Sequence, residues 1–301
     1  MYDLKQGELK DLLDCVRGDD ALALEIRDNY LNIYYRGGNL FRIKRNKNDV
    51  YEAFFDLNYC TNRHEELSKI SPTNLVAWIE KAPVAKAEMD AYFRNHAKPE
   101  REFQQLVVRE NNGSTISRGT DYYIADIEYA NSDNRSRFDM LAVKWKSGPD
   151  RRSGRKATLS FMEVKYGDGA LRGSAGLEKH IIDLGAFLKN DVWKRGIIEE
   201  VSVLFSQKRE LGLIEDIKLD AKIQEDSELE LILLLANHNP ASTILNKELE
   251  KVRDSKCYKE MKDCLKCDLK IATASFLGYG LYAKNMIPLE EFLNEMPSSS
   301  R

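Results

Sequence analysis

A chain of 301 residues, 43% of them hydrophobic, is long enough to bury a full core and reads as one large domain with an accessory one, or as two small ones. Its 46 basic and 49 acidic residues leave a formal charge of -3, so overall charge gives no argument for a polyanionic partner and only local clusters can supply one. The opening Met-Tyr-Asp-Leu-Lys-Gln-Gly-Glu is too charged for the core of a signal peptide. The one long apolar run, Leu229 to Ala236, contains a Glu and is far too short for a membrane span, so a soluble, cytoplasmic protein without membrane contact is expected.

In chain order, a short polar helix over residues 5–16 is followed by strand-like runs at 21–27, 30–35, 40–44 and 51–57. Asp28-Asn29 and Gly37-Gly38-Asn39 separate runs that alternate apolar and polar residues, which predicts a small antiparallel meander. From Thr73 the spacing is helical, with an interruption at Pro83. A further amphipathic helix over 100–110 carries Phe103, Leu106 and Val107 on its stripe and stops at Asn111-Asn112-Gly113. Strands follow at 122–129, 137–145 and 158–166, then a helix over 174–188. Strands at 201–205 and 229–235 come next, then a long helix over 242–265. Strands at 269–276 and 281–283 and a last short helix at 288–293 close the chain. Helix, three strands, helix and strand in this order point to an α/β core with a mixed sheet between helices.

The chemistry concentrates in two strands. Arg137-Phe138-Asp139-Met140-Leu141-Ala142-Val143 holds one carboxylate within an apolar run, where burial without a partner is expensive. Leu159-Ser160-Phe161-Met162-Glu163-Val164-Lys165 holds a carboxylate and an ammonium two residues apart, which the period of a strand sends to one face. Asp139, Glu163 and Lys165 thus meet at one sheet edge as two hard oxygen donors and a cation. Mg²⁺ suits such a set because it takes few protein carboxylates and keeps waters, and the carbonyl of Val164 is a further candidate ligand. Lys165 is placed to orient or deprotonate a water, or to neutralise charge developing on phosphate oxygens.

These residues resemble the PD-(D/E)xK nuclease superfamily over roughly residues 100–205: an Asp at the head of a hydrophobic strand, a loop, and Glu-x-Lys in the next strand. The resemblance maps the family's metal-binding Asp onto Asp139, its Glu onto Glu163 and its catalytic Lys onto Lys165. It matches the acid of the family's opening helix to Glu102, with Glu110 second. It departs at Phe138, where the family pattern has proline. It implies a restriction-endonuclease-like mixed sheet flanked by helices over 97–301, preceded by a small β-rich module with a helical connector over 1–96. That module is open to substrate, a protein partner or a second protomer, which makes a homodimer one expectation. The implied activity is phosphodiester hydrolysis with Mg²⁺ or Mn²⁺, on DNA by resemblance. The alternative is a nuclease-like domain that binds nucleic acid or protein without cutting.

Supporting features are weaker. The loop between the two motif strands is basic, with Lys146, Arg151, Arg152, Arg155 and Lys156, and either closes on a phosphate backbone or is a solvated loop. On the helix after Glu-x-Lys, Lys179 and His180 either contact a phosphate or a bound water, or His180 is a structural histidine. Cys257, Cys264 and Cys267 lack a nearby fourth ligand and read as reduced thiols ahead of a zinc site, and five cysteines in all fit a reducing compartment. No Gly-x-Ser-x-Gly elbow, His-Glu-x-x-His helix or Walker loop is present.

Overall fold

A computed structural model describes residues 1–113, 119–130, 137–148, 157–173, 176–214, 217, 221, 223–225, 227–238, 243–273, 281 and 286–295. The chain forms two compact units, Met1–Arg109 with Gln207–Glu215, and Glu110–Ser206 with Asp216–Arg301. The boundary therefore falls after Arg109, where the sequence reading drew it after residue 96, and residues 207–215 return to the first unit.

The first unit opens with helices α1 (Tyr2–Lys5) and α2 (Lys10–Arg17) and then builds the expected meander: β1 (Leu22–Ile26), β2 (Tyr30–Tyr35), β3 (Gly38–Arg45) and β4 (Tyr51–Phe54), antiparallel in that order. The β2–β3 turn is Arg36-Gly37, both at positive φ, with Tyr35 paired to Gly38; Gly38 and Asn39, read from sequence as turn residues, belong to the strand. A side chain at Gly37 would also strike the Arg101 backbone, so only glycine satisfies both demands. Short helices α3 (His64–Ser68) and α4 (Leu75–Glu80) precede α5 (Ala82–Phe93) and α6 (Pro99–Val108). The helical run is interrupted at Lys81, between α4 and α5, and Pro83 sits in the first turn of α5, where its missing N–H costs nothing. Phe41, Phe55 and Trp78 form an edge-to-face cluster in the core. Glu25, only 1% exposed, receives both hydrogen bonds of this unit's buried cation, Lys208, at 2.7 and 2.9 Å.

The second unit is built on a six-stranded mixed sheet in the order β10-β9-β8-β7-β6-β5. Strands β5 (Tyr122–Ala130), β6 (Arg137–Lys144) and β7 (Thr158–Tyr166) are antiparallel neighbours. Strands β8 (Leu229–Ala236) and β9 (Cys267–Thr273) continue parallel to β7, and β10 (Ile287–Pro288) closes antiparallel. Every residue of β8 is buried, as expected for a central parallel strand covered on both faces. Among the described residues its helices are α7 (Leu177–Leu188), α8 (Asp191–Glu210, whose residues 207–210 belong to the first unit), α9 (Ile244–Asp254), α10 (Lys256–Asp263) and α11 (Leu289–Glu295), of which α9 and α10 pack on α7.

Two local readings are corrected. Residues 201–205 lie in α8, not in a strand: Ile197, Ile198, Val201, Leu204 and Phe205 are buried while Val203 is 54% exposed, a helical period that a five-residue window mimics as alternation. The single helix expected over 242–265 is broken at Ser255, whose extended backbone and hydroxyl cap α10 by accepting from the Tyr258 N–H at 3.1 Å. Of the expected tail strands, residues 274–276 and 282–283 lie outside the described residues. Among the described residues no helix is long and apolar enough to cross a membrane.

Asn111-Asn112-Gly113 does not stop the helix, because α6 passes straight into a π-helical turn, Arg109–Gly113, and asparagines of that turn protect edge strand β5. Asn112 accepts from the Ile124 N–H and donates to the Ile124 carbonyl, both at 2.8 Å, beside the register shift between Ile124 and Asp126. Its amide thus imitates a neighbouring strand. Asn111 accepts from the Leu281 N–H at 2.8 Å.

Within the sheet, Glu230 of β8 is a buried carboxylate that accepts from Ser160 at 2.9 Å, Lys144 at 2.8 Å and Lys270 at 2.6 Å. Burial pushes its carboxyl upward, but the charges of Lys144 and Lys270 outweigh this and hold it below the ordinary value. A depressed carboxyl stabilises the fold above the unfolded pKa of about 4.3, and that contribution is lost as pH falls through the folded value. Glu230→Gln is therefore expected to flatten the acid limb of stability; urea midpoints of both proteins between neutral and acid pH measure this, and parallel curves refute it.

Candidate active site

The antiparallel register of β6 and β7 places Met140 against Met162, and Asp139 lies one residue beyond that pair. There the ladder gives way to a side chain: Asp139 Oδ2 accepts from the main-chain N–H of Val164 at 2.8 Å. The acid expected at the head of β6 thus anchors onto the backbone between Glu163 and Lys165. Val164 is joined to Asp139 through its amide.

On β7, Glu163 and Lys165 are each only 4% exposed. Lys165 Nζ donates to Glu163 Oε1 at 2.5 Å, as their two-residue spacing requires. His180, on the first turns of α7, brings Nε2 to 3.0 Å from the same oxygen and 3.3 Å from Lys165 Nζ. A carboxylate only accepts, so the imidazole presents Nε2–H to it, and two donors converge on one oxygen. Burial pushes the Glu163 carboxyl up; the His180 hydrogen bond and the Lys165 charge outweigh burial and hold it below the usual carboxylate range. Glu163 is therefore an anion at neutral pH. It borders a cavity of about 10 Å³ walled by His180, Leu177, Ile181, Leu231 and Leu233, room for about one water.

The other expected residues divide. Lys179 is exposed and pairs with Asp183 one turn along α7. Glu102 belongs to the first unit, where Arg36 holds it at 2.8 Å. Lys146 is exposed at the end of the β6 segment, and Arg151, Arg152, Arg155 and Lys156 lie outside the described residues. The structure thus brings Glu163, Lys165 and His180 together, with Asp139 fixed to the strand between the first two. The sequence leaves His180 open between a phosphate or water contact and a structural histidine; its i, i+3 offset from the Leu177 anchor, after a Glu-x-Lys strand, is the signal for its place beside Glu163.

Among the described residues no three His, Cys, Asp or Glu side chains form a group able to hold a metal. Mg²⁺ does not need one, since it is bound through one or two carboxylates together with waters and substrate phosphates. The hard oxygen donors of Asp139 and Glu163 fit that cation in kind. No protein-family model, curated protein or solved structure matches this chain.

A buried ion pair that loses one partner is destabilised by about 3–5 kcal/mol, because an uncompensated charge remains. Lys165→Met should approach that cost, and the Glu163→Gln/Lys165→Met double variant should recover part of it. Urea unfolding of the four proteins checks this as a cycle, and additive losses would show that the pair is not coupled.

Proposed function

We propose that this chain is a metal-dependent nuclease of PD-(D/E)xK type that hydrolyses phosphodiester bonds, with Asp139, Glu163 and Lys165 as its catalytic residues. The observation that carries the reading is the dry pairing of Glu163 with Lys165, with Asp139 clamped to the peptide between them. Glu163, buried and with its carboxyl held low, is a perturbed group of the kind that clusters at functional sites. A mixed sheet flanked by helices supports the restriction-endonuclease-like assignment as its coarse outline.

Asp139, Glu163 and the Val164 carbonyl are the groups that would hold Mg²⁺ or Mn²⁺, which when bound supplies a Lewis acid and a more acidic water. Lys165 would supply an ammonium to charge developing on the phosphate oxygens. His180 is a positioning residue: by donating to Glu163 it keeps the carboxylate ionised and aimed. DNA is the preferred substrate in this reading, with Lys146 and the arginines and lysine of residues 151–156 contributing to backbone contact.

One observation favours the rival reading, a domain that binds without cutting: Lys165 and His180 already occupy Glu163 Oε1. Cleavage of plasmid, single-stranded DNA and RNA with Mg²⁺ or Mn²⁺ separates the two. Asp139→Ala, Glu163→Ala and Lys165→Ala are each expected to lower the rate by about 100-fold or more, with folding intact by circular dichroism. Equal behaviour of wild type and variants supports the binding module. For His180→Ala a smaller loss with a displaced pH profile is expected.

A further inference from the structure

At the opposite end of the parallel strands the sheet carries a second charged centre. Ser160 pairs with Glu230, and Glu163 with Leu233, so each residue of the first pair lies three positions from one of the second on the same strand. An odd separation puts them on opposite faces, and three residues span about 10 Å. The Glu230 centre is therefore separate from the Glu163 centre in both face and depth.

Above Glu230 opens a cavity of about 470 Å³, within the size range of about 300–1,000 Å³ that small ligands occupy. Its lining contributes five lysines, Lys144, Lys146, Lys262, Lys266 and Lys270, against the carboxylates of Glu228, Glu230 and Asp268. At its base Lys144 and Lys270 converge on a single oxygen of Glu230, with Asp268 also near Lys270, so the excess of positive charge belongs to the lining as a whole, five ammonium groups against three carboxylates. Such an excess around a concave site favours an anion within it. Lys146, Lys262 and Lys266 are exposed at the rim, and no described carboxylate forms an ion pair with any of them. Lys266 also holds a left-handed backbone, φ 50°, while its carbonyl accepts from the Leu229 N–H at 3.2 Å. Glycine or asparagine takes that conformation more readily than lysine does.

We propose that this cavity is an anion site for a small molecule carrying linked phosphates, of the pyrophosphate or nucleoside diphosphate class, independent of the nuclease centre. Lysine ammonium groups recognise phosphate as point charges, without the planar fork of arginine, and several can share one diphosphate. A concave pocket closed at its base by Glu230 suits a compact ligand better than a continuous polymer backbone.

The test is calorimetric titration of the full chain with pyrophosphate and with ADP, in EDTA so that no divalent cation contributes. The proteins compared are wild type, Lys262→Glu/Lys266→Glu and Glu163→Gln. Both lysines are exposed, and an unchanged melting temperature without ligand confirms that the double variant is folded. Wild type is expected to bind both ligands, the double variant to bind about tenfold or more weakly, and Glu163→Gln to bind as wild type. Absence of binding at millimolar ligand, or equal affinity in the double variant, overturns the proposal. Competition by a short single-stranded oligonucleotide as strong as by ADP, per phosphate, overturns the small-molecule class and assigns the pocket to a nucleic-acid backbone. Retained binding by Glu163→Gln keeps the result separate from the fate of the nuclease reading.

Discussion

An ionised side chain taken out of water loses several kcal/mol of hydration, and it persists inside a fold only where an opposite charge or aligned hydrogen bonds replace the solvent. Three buried acids among the described residues obey that constraint. Glu25 meets Lys208, Glu163 meets Lys165 with His180 beside it, and Glu230 meets Lys144 and Lys270. Much of the local structure follows from these pairings. Strand β7 supplies one acid to its own lysine and one hydroxyl, Ser160, to the acid of the next strand. The sheet of the second unit is thus held by charge at two depths as well as by leucine, isoleucine and phenylalanine.

What could be read in the sequence depended on how far apart the partners stand. Glu163 and Lys165 are two residues apart, and the period of a strand alone brings them together. Glu230 is 86 residues from Lys144 and 40 from Lys270, and Glu25 is 183 from Lys208; such pairs exist only once the sheet has closed. The one sign of the Glu230 centre in the sequence was a lone Glu inside Leu-Glu-Leu-Ile-Leu-Leu-Leu-Ala, a strand that turned out to be buried throughout. An acid in such a run calls for cations from its neighbours as surely as Asp139 does in its own.

Secondary structure was legible where periodicity ran long. The meander and the three strands from β5 to β7 lie where their alternation placed them, to within a few residues at the ends. Failures came from short windows and from side chains that act as backbone. Residues 201–205 alternate over too few positions to distinguish a strand from the buried stripe of α8. Asn111 and Asn112 read as a helix stop; they lie instead in the π-helical turn after α6, where their amides complete hydrogen bonding for Leu281 and Ile124, a role that depends on distant segments and leaves no local mark.

Buried charge also constrains register. Shifting a strand by one residue moves all of its side chains to the other face. In β7 such a slip would carry Glu163 and Lys165 away from His180 and take Ser160 from Glu230, while Met162 and Val164 moved into the polar positions. For an all-leucine strand like most of β8, a slip exchanges one apolar contact for another and costs little. For β7 it strands an acid and an ammonium against hydrocarbon. The charged residues that make the two centres chemically interesting are therefore also the ones that tell this sheet how to align, and a substitution that neutralises them acts on pairing as well as on chemistry.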